Sequence, residues 1–135
     1  MSRLSAFLHP VASCGEKEVI ISNRFQDEEG NPVQFKIRAL TQEENDAITK
    51  KATRQVKAGG QTVERLDSVD FSRRLVLAAT VEPDFSSREL CEGYGTMDPL
   101  QVPGRMLLPG EYAKLMNEIM ALSGFRDDLE GEVKN

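Results

Sequence analysis

The chain has no tryptophan, one histidine and two cysteines among its 135 residues, and each shortage removes a class of function. His9 stands beside Pro10 in a short terminal stretch, where nothing near in sequence would orient an imidazole for proton transfer. Cys14 and Cys91 are far apart and form no CxxC, which excludes a zinc knuckle or a thioredoxin-type pair and leaves two free thiols. Cys14 lies close to His9, but no third group holds the ring or activates the sulfur, so it reads as an ordinary thiol. Gly59-Gly60 and Gly93-Tyr94-Gly95 match neither phosphate-loop nor dinucleotide signatures. The acids Asp27 to Glu29 lack the ligand spacing of a calcium loop. No catalytic, cofactor-binding or metal-binding residue is assigned.

Long apolar runs are also missing. No stretch approaches the ~20 residues of a membrane span, and Met1 to Gly15 has too short an apolar centre for a secretory signal. Cytoplasmic placement and no membrane partner are the expectation. A formal charge of −5 opposes broad attraction to nucleic acid. Hydrophobic residues reach only 39%, with 6% aromatic, so the core should be thin and aliphatic and should favour association.

What is present is organised around Val33 to Glu44, VQFKIRALTQEE. Val33, Phe35, Ile37 and Ala39 alternate with polar residues, predicting a strand with one buried face that ends near Leu40. Thr41 and Glu44 have capping-box spacing and start a helix. Upstream, Glu18 to Phe25 is β-branched and reads as a strand with Val19, Ile21 and Phe25 on one face and Ile20 on the other. Asp27 to Pro32 is dense in turn formers and should join the two strands as an N-terminal antiparallel hairpin. Two strands alone are marginal, so helices must cover the Phe35 face or a further strand must join an edge.

The helix from Gln42 is expected to run to about Lys57, with Ala47, Ile48, Ala52 and Val56 inward. Its acids come early and Lys50, Lys51, Arg54 and Lys57 late, as the macrodipole favours. That order makes a solvated helix face the better reading of the cluster than a nucleic-acid patch. Gly59 and Gly60 stop it, and Gln61 to Leu66 is either an extended connector or a short third strand. A central helix follows from Asp67 or Ser68 to about Val81, burying Phe71, Leu75, Ala78 and Ala79, with Val76 as a further candidate. Ser86 and Glu89 suggest a capping box for a short helix ending around Gly93 to Gly95. Asp98 starts another segment, which Pro103 and Gly104 should bend or break. Pro109 to Ser123 is the cleanest amphipathic helix, with Tyr112, Leu115, Met116, Ile119 and Leu122 in helical register and Gly124 as the cap residue. Met97, Met106, Met116 and Met120 can fill core gaps or adapt to a partner surface, with core filling the better reading of their spacing.

The expected fold is therefore a helix-dominated α+β domain over residues 1–125, with an arm at 1–15 and a charged, disordered tail at 126–135. Ser2 to Leu8 would form a marginal helix that either packs on its own domain or docks on another subunit. Its Leu4, Phe7 and Leu8, with Met116 and Met120 of the last helix, are the candidate partner-binding residues.

The stretches FQDEEGNPVQFKIRALTQEEND, YGTMDP and MLLPGEYAKLMNEIMALSGF together resemble the XkdN-like phage tail assembly chaperones of myophage-type and defective prophages. The resemblance spans nearly the whole chain, and its most telling parts are Ile37 to Glu44 and the LLPGEY start of the last helix. Val102-Pro103-Gly104 departs from it, since a more continuous helical approach to MLLPGEY is the family expectation. The resemblance implies a non-catalytic protein in the cytoplasm of a bacterial host. Such a protein binds the tape-measure protein, shields its apolar helices, recruits tail-tube subunits and leaves the finished tail. It supplies no site residue that can be carried over and implies no cofactor. Weak self-association fits the thin core. The alternative is a structural tail or connector component retained in the particle.

Overall fold

The computed structural model describes residues 3–11 and 15–125. In chain order these form α1 (Arg3–Leu8), β1 (Glu16–Val19), β2 (Phe35–Arg38), α2 (Gln42–Ala52), β3 (Thr53–Ala58), β4 (Gln61–Leu66), α3 (Ser68–Ala79), β5 (Thr80–Glu82), α4 (Arg88–Gly93), a 3-10 turn (Pro99–Gln101), α5 (Val102–Met106) and α6 (Pro109–Leu122). Helix accounts for 48% and strand for 21%, so the α+β fold is helix-dominated.

β2 is the hub. Phe35 and Ile37 are buried, as their alternation requires, and Phe25 packs its ring 5.5 Å from that of Phe35. β1 pairs antiparallel with β2, Lys17 opposite Ile37 and Val19 opposite Phe35. The expected hairpin is therefore present, but its first strand begins and ends earlier than Glu18 to Phe25. Beyond Val19 the chain leaves the ladder and returns as one bridge, Gln26 with Pro32. The Asp27 carboxylate closes the intervening turn by accepting from the amides of Glu29 and Asn31. Val19 and Ile21 are buried and Ile20 is exposed, as read from the sequence. Val33 is a correction: it lies before β2, next to the turn, and is 45% exposed.

The other edge of β2 is taken by β5, in the order β1-β2-β5. This replaces the expectation that the central helix reaches Val81. The helix stops at Ala79, and Thr80 turns extended to stand opposite Ile37, because pairing the free β2 edge satisfies backbone groups that another helical turn would leave there unpaired. Leu75, Val76 and Ala79 of α3 are fully covered, with Phe71 and Ala78 packed at the margin.

α2 begins with the expected capping box. Thr41 Oγ1 accepts from the Glu44 amide at 3.2 Å, and Glu44 Oε1 accepts from the Thr41 amide at 3.0 Å. It ends at Ala52, not near Lys57: Thr53 turns extended and starts β3. Ile48 and Ala52 are buried, whereas Ala47 is exposed and Val56 lies on the strand. Gln61 to Leu66 is a strand, and among the described residues it pairs only with β3. Gly59 and Gly60, at φ 60° and 80°, form the two-residue turn between them, a conformation in which a Cβ would be strained.

Two further corrections concern helix starts. The cap of α4 is Ser87, whose hydroxyl accepts from Leu90 N, while Ser86 N donates to Asp84. Val102-Pro103-Gly104 does not break the chain but opens α5, with Val102 and Pro103 buried. Proline is tolerated there because the first turn has no intrahelical acceptor for its amide. α6 follows its expected register: Leu115 and Ile119 are buried, Tyr112, Met116, Met120 and Leu122 pack against the core, and Gly124 takes φ 82°. Met106 is buried, while Met97 is 97% exposed and fills no core gap. The tail at 126–135 lies outside the described residues.

Candidate interaction surfaces

Among the described residues, His9 and Cys91 make no contact with each other. His9 is exposed just after α1, where its amide donates to Ser5 O; Cys14 lies outside the described residues. Cys91 is buried and points its thiol at Phe85 O, 3.3 Å away. Among the described residues no group of His, Cys, Asp and Glu is arranged to hold a metal ion, and no helix is long and apolar enough to cross a membrane. A groove of about 400 Å³ lies beside α4, its apolar wall made by Cys91, Met97 and Pro99 and its rim by Arg88 and Glu92. Its charged rim groups are exposed, and Arg88 donates through Nε to Glu92 Oε1 at 3.0 Å.

Two arms stand away from the core. α1 buries none of its residues, and Phe7 is 76% exposed, with Leu4 and Leu8 close behind. The other two candidate residues are placed differently: Met116 and Met120 are half-covered on α6 as part of the core margin. The structure thus splits the five between an exposed arm and a packed helix.

The second arm is the β3–β4 hairpin, whose first strand the sequence reading misses by extending α2 to about Lys57, while Gln61 to Leu66 takes the strand alternative. Its six-residue strands pair over their whole length, Arg54 opposite Arg65 and Val56 opposite Val63, and bury no residue. Its base is tied down: Asp67 N donates to Ala52 O at 2.8 Å, and Arg54 reaches Asp70 Oδ2 at 2.8 Å, which Arg74 also holds at 2.9 Å. The macrodipole account therefore applies to Lys50 and Lys51, in the last turn of α2, but not to Arg54 and Lys57. The signal was present in Thr53, Val56, Thr62 and Val63 flanking a Gly-Gly pair.

Two ion pairs fix the frame from which the arms project. Arg38 of β2 donates to both oxygens of Glu44 and to Ala78 O, joining sheet, α2 and α3. Hydrogen bonds from Arg38, then the Thr41 amide, hold the Glu44 carboxyl down at about 2. Arg24, in the segment that leaves the β1–β2 ladder, stacks on Phe25 and donates through Nε to Glu111 Oε2 at 2.8 Å and through Nη2 to Met106 O. Glu111 also accepts from Leu108 N at 2.8 Å. Leu108 has no acceptor side chain, so Glu111 supplies only the reciprocal half of a capping box. Arg24 first, with Ser22 and Leu108 behind it, draws the Glu111 carboxyl down to about 2.

The described residues form a small α+β frame from which α1 and the β3–β4 hairpin stand exposed. The family model for the phage XkdN-like tail assembly chaperone protein matches residues 4–135, and this chain belongs to that family. It is 45% identical over 118 residues to the uncharacterized protein YqbN of Bacillus subtilis strain 168, covering 85% of this chain and 78% of that one. It is 41% identical over 126 residues to the phage-like element PBSX protein XkdN of the same organism, covering 89% and 84%. The crystal structure of YqbN superposes with a TM-score of 0.76 at 36% identity, over 93% of this chain and 99% of that one.

Proposed function

We propose that this chain is a non-catalytic tail assembly chaperone that binds the tape-measure protein of a phage or prophage tail, helps recruit tail-tube subunits and is released from the finished particle. The observation that carries the reading is a family match along nearly the whole chain in a molecule whose large apolar side chains on α1 are left outside the core. Exposed apolar surface on a small frame suits reversible holding of a partner. The working unit is residues 1–125, acting in the host cytoplasm. Leu4, Phe7 and Leu8 are the leading contact residues, and the half-covered Met116 and Met120 of α6 extend the surface.

Co-expression tests this directly. The tape-measure protein made alone should be insoluble, and made with this chain it should be recovered in a soluble complex. Equal solubility in both cases, with no complex on gel filtration, would refute the reading.

A further inference from the structure

The geometry points to the β3–β4 hairpin as a strand-docking element that takes an extended acidic segment of the tail partner along its β4 edge. This rests on the chaperone reading and names how one contact is made. Between residues 50 and 74 the chain has seven cations against three acids, although its net charge is −5. Arg54 and Arg74 share Asp70, whereas Lys50, Lys51, Lys57 and Arg65 form no ion pair among the described residues.

Lysine on a free edge is a common guard against unwanted pairing, and that accounts for Lys57 alone. It does not account for Arg65 directly opposite Arg54, since like charges across a ladder destabilise it. Two strands that bury nothing are marginal by themselves. An incoming strand would satisfy one row of backbone groups and supply the missing anion. The β4 edge is the better host because Arg54 on β3 is already neutralised by Asp70 and Arg65 on β4 is not. Gln61, Val63 and Arg65 share one face of β4 by strand alternation, so the fitting segment places an apolar residue beside Val63 and an acid beside Arg65.

The probes are peptides of about fifteen residues tiling the tape-measure and tail-tube proteins, with a short DNA duplex as a competing ligand. Three chains are compared: the full chain, its Arg65→Glu variant, and a chain in which Thr53–Leu66 is replaced by a short Gly linker. The Ala52–Asp67 hydrogen bond shows that the ends to be joined are adjacent. Arg65→Glu puts opposite charges across from each other, so the hairpin itself should gain stability and lost binding cannot be blamed on its melting. The expected result is that the peptides bound by the full chain are acidic. Their affinity should fall roughly tenfold or more on Arg65→Glu, weaken as salt is raised and vanish on excision. Peptides that bind all three chains equally would overturn the inference and leave the chaperone reading standing. Binding of no peptide by the full chain would overturn the inference, the chaperone reading being decided separately by the co-expression result. Hairpin-dependent binding of the duplex in place of the peptides would assign the arm to nucleic acid and overturn it.

Discussion

Replacing Phe35 tests the register on which the fold is built. Its side chain is 2% exposed, sits on the central strand and packs against the tilted Phe25 ring. Truncation to alanine removes that contact and leaves a cavity, at a cost of about 3–5 kcal/mol. For a domain of this size that corresponds to a fall in melting temperature of roughly 10–20 °C. Phe35→Asp should go further and prevent folding, because it adds an unpaired charge to the core. Two residues away, Val33→Asp should change little, since Val33 is half-exposed and outside the strand, and Gln34→Asp should be equally mild. Thermal melts of the four variants by circular dichroism decide it. Comparable losses at Val33 and Phe35, or none at either, would refute the assigned register.

Thr41→Ala should cost about 1 kcal/mol without changing the fold, the usual size of a lost N-cap; an unchanged melting temperature would remove the cap's contribution. Glu44 and Glu111 titrate near 2 in the folded chain but near 4.5 when unfolded. Their stabilisation is therefore complete above the unfolded value and is lost as pH falls through the window from about 4.5 to about 2. A denaturant series in that window should show Glu44→Gln flattening the acid loss, and an identical slope for variant and parent would contradict it. Removing Arg126 to Asn135 should leave the melting temperature in place; a large fall would show that Leu129 or Val133 docks on the domain.

The legible parts were those specified by residues close in sequence. The Thr41–Glu44 box, the register of Tyr112, Leu115 and Ile119, and the burial of Phe35 and Ile37 are each set within a turn or two of chain. Elements defined by distant partners were not legible in the same way. Thr80–Glu82 is too short to show a period of two, and only the free edge of β2, more than forty residues earlier, makes it a strand. Arg54 to Lys57 continues the charge order of α2, so the helical reading absorbed it, although Gly59-Gly60 between β-branched residues is also a hairpin signal. Pro103 reads as a breaker in the sequence because its place in the first turn of α5 depends on where that helix starts. Of the five candidate contact residues, those on α1 are exposed, whereas the shortness of that helix leaves both packing on its own domain and docking elsewhere open in the sequence. The partial cover of Met116 and Met120 depends on tertiary packing that helical spacing does not report.

The most direct test of transient chaperoning is the protein composition of purified, finished particles from a host expressing the whole tail gene cluster, measured by quantitative mass spectrometry. The account predicts tape-measure and tube proteins in fixed proportion, with this chain absent although it is abundant in the assembly lysate. Recovery of this chain in the particle at constant stoichiometry would contradict release and make it a structural component of the tail.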